Sequence, residues 1–173
     1  HGIQVDFKAK VTGYTNLQGT AFAPNTWVGS GVQVFLGNKR LHLGFFDCGS
    51  NGRVIGIIPG SGTATDITTQ TALGKRFSAP VDWTVSNFFR LSYRPYESID
   101  VWINNIPSGP YISIPWLNDT DGFDLPQDVT LASAAFGHFD RDASSTTSWE
   151  FFRFGVGNGY DVSIEPLFPD GLK

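Results

Sequence analysis

Apolar and polar residues alternate along much of this chain, with the period of two that is typical of β-strands. In residues 2–11, "GIQVDFKAKV", every second residue is apolar, which predicts an antiparallel strand with one face in water. Residues 29–62 predict three more strands. Gly and Asn at residues 37–40 and 50–53 predict the turns between them, because both residue types accept a positive φ.

The second half of the chain predicts one hairpin and two later strands. The hairpin pairs Asn87 to Arg94 with Ser98 to Ile103, and Pro95 fits its turn because proline fixes φ and donates no hydrogen bond. Residues 129–139 and 148–157 are the last two predicted strands.

Three segments lack a clear strand pattern. Residues 109–128 are polar and bracketed by prolines, and residues 141–147 are small and polar, so both predict loops. Residues 63–80 carry no assignment. About ten strands without a long helix predict an all-β fold, a two-sheet antiparallel β-sandwich of jelly-roll type. A chain of 173 residues fits one domain over residues 1–173, with residues 1–2 interpreted as the remnant of a tag or of a cut.

Residues 147–159, "TSWEFFRFGVGNG", raise the question of whether Trp149 and Glu150 border a catalytic cleft or belong to a buried strand. Strict alternation would put two sets of side chains on opposite faces, namely Trp149, Phe151 and Arg153 against Glu150, Phe152 and Phe154. Both faces are mainly apolar. This predicts a central strand, covered by a second sheet on one side and by a groove or a partner on the other.

The composition narrows the class of protein. Fifteen Phe, five Trp and five Tyr, with 20 Gly and 10 Pro, favour short strands joined by tight turns. The net charge is -4 and the 12 Lys and Arg are scattered, so nucleic acid is not an expected partner. No apolar run reaches the ~18 residues of a membrane span, so membrane insertion is not expected. Cys48 is the only cysteine, so no internal disulfide can form.

The order of several segments resembles the concanavalin A-like lectin/glucanase superfamily, in its laminin G-like branch. Residues 82–107, "DWTVSNFFRLSYRPYESIDVWINNIP", are similar to that family's strand, turn and strand ending in a "V.V..DG.P" hairpin, with Asn104 and Asn105 in place of Asp-Gly. Residues 149–155, "WEFFRFG", look like its closing "WDYVRYG" strand. The resemblance covers about residues 3–159, and it implies the fold more strongly than a function.

The resemblance also offers a test for catalysis. The glucanases of this superfamily carry Glu-x-Asp-x-Glu on one strand, which puts three acids on the concave face as nucleophile and acid/base. This sequence lacks the triplet, and its nearest pattern is His138, Asp140 and Asp142 at the edge of a predicted loop. Glu150 has no partner acid nearby in sequence. No catalytic residue is therefore predicted.

Sugar binding needs flat aromatic rings that stack on a pyranose, together with planar polar groups that bond its hydroxyls. Four aromatic residues in or beside predicted loops are the candidate ligand-binding residues: Trp27, Tyr96, Tyr111 and Trp116. Packing in the core or a crevice is the alternative role for each. Three tryptophans in or next to predicted strands are expected in the core: Trp83, Trp102 and Trp149.

A candidate calcium loop lies at residues 118–124, "NDTDGFD". Asp119, Asp121 and Asp124 surround Gly122 with the spacing of the first half of such a loop, but the later Glu of an EF-hand is missing. The resemblance implies calcium at a loop rim, as in many lectins and laminin G-like domains. A bound calcium ion and a simple acidic turn both remain open.

The leading hypothesis is a non-catalytic carbohydrate-recognition module that binds a glycan, within a larger extracellular, cell-surface or virion protein. The alternative is a structural or interaction module, such as a virion decoration or adhesin domain, that forms a homo-oligomer or binds a protein partner. A glycoside hydrolase or lyase is the third hypothesis. A copper oxygenase that uses His1 with His42 or His138 is a fourth, conditional on a natural His1 terminus.

Overall fold

The computed structural model describes residues 2–16, 26–37, 39–49, 52–59, 78–104, 109–115, 125–126, 128–139 and 143–157. Helix is almost absent from these residues, and ten strands run through them: β1 (Gly2–Asn16), β2 (Thr26–Leu36), β3 (Lys39–Asp47), β4 (Arg53–Pro59), β5 (Ser78–Pro80), β6 (Asn87–Arg94), β7 (Ser98–Ile103), β8 (Ile112–Pro115), β9 (Ser133–His138) and β10 (Ala143–Gly157). They form two antiparallel five-stranded sheets. Sheet A has the order β10-β1-β6-β7-β8 and sheet B the order β5-β4-β3-β2-β9. No helix in this part of the chain is long and apolar enough to span a membrane.

The two sheets share one apolar core, which gives the molecule its β-sandwich character. Alternation along each strand sends one set of side chains inward, and those of sheet A and sheet B join a single buried cluster. Phe89 of sheet A shows the contact directly. Its ring centroid lies 5.0 Å from that of Phe7 in its own sheet and 5.6 Å from that of Phe45 in sheet B. The all-β prediction is confirmed.

The predicted hairpin of β6 and β7 has the expected bounds, but its turn holds an unusual residue. Glu97 N–H donates to the Arg94 carbonyl at 3.0 Å, which closes a four-residue turn with Pro95 second and Tyr96 third. Tyr96 has a φ of 67°. A type II turn requires such a φ at this position, and Gly or Asn normally supplies it.

Two predicted loops are partly strand, which corrects the sequence interpretation. Ile112–Pro115 forms edge strand β8 inside the segment 109–128, with Ile112 and Ile114 buried in the core. A proline is tolerated at the end of an edge strand, so Pro115 does not exclude the strand. Within residues 141–147, those from 143 onward belong to β10, because pairing with β1 holds them extended.

The predicted alternation along β10 is wrong at its centre. Lys8 and Ala9 of β1 lie opposite Phe151 and Trp149, so Glu150 is an extra residue, a β-bulge. Because of the extra residue, side chains on the two sides of the bulge no longer follow one alternating pattern. As a result β10 sends three aromatic side chains to the core, namely Trp149, Phe152 and Phe154. Phe151 and Arg153 lie on the outer face of sheet A, the face that points away from the core.

Candidate functional site

Trp27 packs onto sheet B. Its indole lies over Gly44, where an added Cβ would stand 2.8 Å from Trp27 Nε1, and it packs against Phe46. Trp27 Nε1 donates to the Ser30 carbonyl at 3.0 Å. This half-buried ring therefore has a packing role, and its binding of sugar stays a prediction.

Tyr96 and Tyr111 are exposed but lie apart. Their residues are 62% and 44% exposed, respectively. Tyr96 is flanked in its turn by an ion pair in which Arg94 Nη1 lies 2.9 Å from Glu97 Oε2. Tyr111 directly precedes the first residue of β8. The turn of Tyr96 lies at the opposite end of that strand, where Pro115 pairs with Ser98. The two rings do not form one platform.

Several predicted site residues lie outside the described residues. These are Trp116, the calcium candidates Asp119, Asp121 and Asp124, and the acids Asp140 and Asp142. Among the residues that the structure describes, no three His, Cys, Asp or Glu side chains converge as metal ligands. Calcium binding stays a prediction.

The three tryptophans that are expected in the core have different positions. Trp83 is fully buried, as predicted, and its Nε1 donates to the Phe46 carbonyl at 3.1 Å. Trp149 is half-buried and packs against the core. Trp102 is buried too, but it lies on the outer face of sheet A, opposite Arg90 of β6.

A buried carboxylate lies near the middle of that outer face. Asp6 is 0% exposed and accepts hydrogen bonds from Arg90 Nε at 2.7 Å, Arg153 Nη2 at 2.6 Å and Gln4 Nε2 at 2.7 Å. Arg153, Asp6 and Arg90 are in register on the neighbouring strands β10, β1 and β6. Arg90 is itself buried, so the carboxylate and this guanidinium compensate each other.

Five partly accessible side chains beside Asp6 form what we call the β1–β10 surface: Gln4, Lys8, Glu150, Phe151 and Arg153. The half-buried ring of Phe151 lies opposite Lys8. Lys8 Nζ is 2.9 Å from Glu150 Oε2, and the Ser86 hydroxyl also donates to Glu150. An aromatic ring therefore lies among charged and amide groups that are each held in place by a partner.

A second polar cluster continues along the outer face. Asp100 is buried and accepts hydrogen bonds from Arg94 Nη2 at 2.9 Å and from the Ser113 hydroxyl at 2.6 Å. Ser92 lies in register between Gln4 and Asp100. Within the described residues, the buried Ser92 Oγ has no hydrogen-bond partner.

A cleft of about 470 Å³ lies at one end of the sandwich, lined by Asp47, Gly49, Gly52, Arg53, Val81 and Asp82. Asp47 accepts a hydrogen bond from the Tyr14 hydroxyl at 2.6 Å, and Arg53 Nη1 lies 3.3 Å from Asp82 Oδ1. Arg53 stacks on Trp83, which is fully buried. The cleft is lined mainly by polar residues, and the buried ring of Trp83 is not exposed to it.

His42 is buried on the outer face of sheet B. Its Nδ1 lies 3.2 Å from Gln33 Nε2, and its ring meets that of Trp27 edge-on with centroids 5.9 Å apart. Burial, with repulsion from Arg40, lowers the pKa of His42 to about 4. The imidazole is therefore neutral at pH 7.

The carboxylates with shifted pKa values are not poised as acids. Hydrogen bonds from Ser86 and Lys8 lower the pKa of Glu150, and those from Thr84 lower the pKa of Asp82. Glycoside hydrolysis requires one carboxyl with a raised pKa to protonate the leaving group. Both groups are instead ionised acceptors at neutral pH.

The comparisons with known proteins give no match. No protein-family profile matches the chain, and no curated protein sequence or solved structure does so either. The resemblance to the concanavalin A-like superfamily therefore stays a prediction.

Sequence reasoning missed the β1–β10 surface. Alternation along β1 predicts only a solvent-exposed polar face, and the predicted ligand-binding rings all lie in or beside loops. Asp6 and Arg153 are 147 positions apart, and only strand pairing brings them together. The sequence does contain a sign of the bulge. "WEFFRFG" has aromatic residues at both odd and even positions, and a strictly alternating strand cannot bury all of them in one core.

Proposed function

We propose that this domain is a non-catalytic carbohydrate-recognition module of a larger extracellular, cell-surface or virion protein, and that it binds glycan on the β1–β10 surface. One observation carries the proposal. Phe151 is half-buried on the edge strand of sheet A, between Glu150 and Arg153 in sequence and opposite Lys8, which forms an ion pair with Glu150. A flat ring with fixed polar groups around it is the combination that sugar recognition needs.

The polar groups of this surface are preorganised. Arg153 is tied to the buried Asp6, and Glu150 is held by Lys8 and Ser86, so a ligand need not order these side chains on binding. Groups that are already fixed lose less conformational entropy when a ligand arrives. The cleft near Asp82 has comparable polar groups, but its neighbouring tryptophan lies beneath Arg53.

The state of the acids supports binding over hydrolysis. Glu150 is the carboxylate nearest the proposed stacking ring along the strand, and hydrogen bonds lower its pKa. A group in that state accepts hydrogen bonds from sugar hydroxyls and does not protonate a glycosidic oxygen at neutral pH. We therefore retain no catalytic role for it.

The proposal includes a jelly-roll arrangement of the concanavalin A-like, laminin G-like type. Its support is the strand order, in which the first and last described strands, β1 and β10, are neighbours in sheet A. The chain also passes between the sheets after β1, β5, β8 and β9. Calcium at Asp119, Asp121 and Asp124, which lie outside the described residues, belongs to the proposal as an optional component.

A glycan array, read in calcium and again in EDTA, tests the proposal. We expect binding that survives EDTA, because the described contacts of the β1–β10 surface involve protein groups alone. Binding that EDTA abolishes would transfer the site to the candidate calcium loop at residues 118–124. Silence in both buffers would reject glycan recognition.

The second candidate function is a structural or interaction module, and exposed apolar residues near β9 favour it. Leu131 is 90% exposed and Phe136 is 45% exposed. Phe136 also contacts Trp149 and Phe152 of β10, with ring centroids 4.9 Å and 4.5 Å away. Light scattering tests this candidate: a concentration-dependent oligomer that dissociates in folded Leu131→Ser supports the module, and a monomer at all concentrations opposes it.

A further inference from the structure

The β1–β10 surface and its surroundings have the opposite charge to the chain as a whole. The chain carries a formal net charge of -4. The outer faces of β1 and β10, with the adjoining Arg90, carry more cations than anions. The four cations are Lys8, Lys10, Arg90 and Arg153, and the two anions are Asp6 and Glu150. These described residues therefore carry a formal net charge of +2, whereas the chain as a whole is acidic.

Asp6 neutralises only part of this charge. Its two oxygens already accept hydrogen bonds from Arg90 Nε and Nη2, Arg153 Nη2 and Gln4 Nε2. Three of these bonds go to Oδ2 and one goes to Oδ1. Since Asp6 carries one negative charge and two guanidiniums share it, the described residues of this cluster leave one positive charge uncompensated.

Arg153 is the member of the cluster that a ligand can reach. Its side chain is 54% exposed, whereas that of Arg90 is 3% exposed. A guanidinium has five N–H donors, and the described bond to Asp6 uses the Nη2 group. The exposed edge of the guanidinium can pair side by side with the two oxygens of a carboxylate or sulfate.

We infer that the β1–β10 surface selects acidic glycans, whose sugar rings carry carboxylate or sulfate groups. Arg153 pairs with the anionic group, and Phe151, two residues away on β10, packs against the sugar ring. Asp6 is a positioning residue that holds Arg153 at the surface. This inference rests on the proposed glycan-binding function and names its ligand class.

The experiment compares a neutral glucose oligosaccharide with its uronate and sulfated counterparts of the same linkage and length, by calorimetry. Single-stranded DNA serves as a polyanion without sugar-ring selectivity. The variants are Arg153→Gln and the matched control Arg53→Gln, which alters an exposed, ion-paired arginine away from this surface. A third variant, Arg153→Lys, keeps the positive charge but lacks the planar guanidinium that pairs with two oxygens at once. Thermal melts verify that each variant is folded.

We expect the wild type to bind at least one acidic oligosaccharide about tenfold or more tighter than the neutral one, a difference of ~1.4 kcal/mol. Arg153→Gln should remove this preference, Arg153→Lys should retain part of it, and Arg53→Gln should leave it unchanged. The preference should also weaken in high salt, because exposed charges are screened.

The remaining outcomes separate the two proposals. Equal affinity for neutral and acidic oligosaccharides overturns this inference and leaves glycan recognition standing. An acidic preference that survives in folded Arg153→Gln overturns the role of Arg153. Equal affinity for single-stranded DNA reduces the surface to a general polyanion site. Absence of binding to all of these oligosaccharides overturns the inference, and silence of the glycan array as well rejects the proposed function.

Discussion

Trp149 and Phe152 point into the same core although they are three positions apart along β10, because the bulge at Glu150 lies between them. Trp149 packs on Phe7 of β1 with ring centroids 5.7 Å apart, and Phe152 packs on Phe136 of β9 at 4.5 Å. The extra residue also leaves Phe151 and Arg153 on the outer face. One bulge therefore shapes both the core and the proposed binding surface.

The first prediction concerns chain deletions in β10. Removing Glu150 restores strict alternation while Trp149 and Phe152 still point inward, so we expect a folded protein with one cooperative unfolding transition. Removing Arg153 instead turns Phe154 outward and takes a partner from Asp6, so we expect loss of cooperative unfolding. Thermal melts followed by near-ultraviolet circular dichroism compare the two deletions. Equal damage by both would contradict the role given to the bulge.

The second prediction concerns the buried carboxylate. Asp6→Ala leaves the buried Arg90 without its carboxylate, and we expect the free energy of unfolding to fall by about 3–5 kcal/mol. Glu97→Ala is the control, because its ion pair with Arg94 is largely exposed and is worth about 1 kcal/mol or less. Urea denaturation measures both. Similar losses in the two variants would show that Asp6 is not buried as described.

The third prediction concerns backbone strain at Tyr96. Because its φ of 67° suits glycine, we expect Tyr96→Gly to raise the free energy of unfolding by about 1 kcal/mol. Tyr111→Gly is the control: it removes another exposed tyrosine from a position without a positive φ, and it should lower stability. Chemical denaturation measures both effects. A destabilised Tyr96→Gly would mean that contacts of the ring outweigh the strain.

The fourth prediction is a pH dependence that His42 causes. Its pKa is 6.5 in an unfolded chain and about 4 in the folded protein, so between these values the unfolded state binds more protons. The free energy of unfolding therefore falls as pH drops from 6.5 towards 4, by at most about 3 kcal/mol, and this contribution is constant above 6.5. We expect His42→Phe to lose this part of the slope and His138→Gln to keep it. Stability curves at several pH values provide the measurement, and identical slopes in all three proteins would refute the assignment.

Much of the fold could be predicted where local signals agree. The bounds of β6 and β7 follow from alternation on both sides of Pro95, which fixes the turn whatever the rest of the chain does. β8 was missed because its four residues lie among prolines and polar residues, and its pairing with β7 is what makes it a strand. Local sequence does not contain that information.

The candidate site was less predictable, since it depends on contacts between distant residues. Asp6 looks like one more polar residue of an alternating strand, and its burial follows from Arg90, 84 positions away, and from Arg153. The sequence predicts Trp27 as a ligand-binding residue in or beside a loop. In the structure its ring packs over Gly44 on the adjacent strand. Tyr96 was correctly placed in an exposed turn, because Pro95 marks the turn in the sequence itself.

The most direct test of glycan recognition on the β1–β10 surface is a calorimetric titration of Phe151→Ala and Tyr111→Ala with the tightest oligosaccharide from the array. Both variants remove one aromatic ring that is at least partly exposed, but only Phe151 belongs to the proposed surface, because Tyr111 precedes β8. We expect Phe151→Ala to weaken binding about tenfold or more, while Tyr111→Ala binds like the wild type. Unchanged affinity in folded Phe151→Ala, or a loss confined to Tyr111→Ala, would contradict the proposed site.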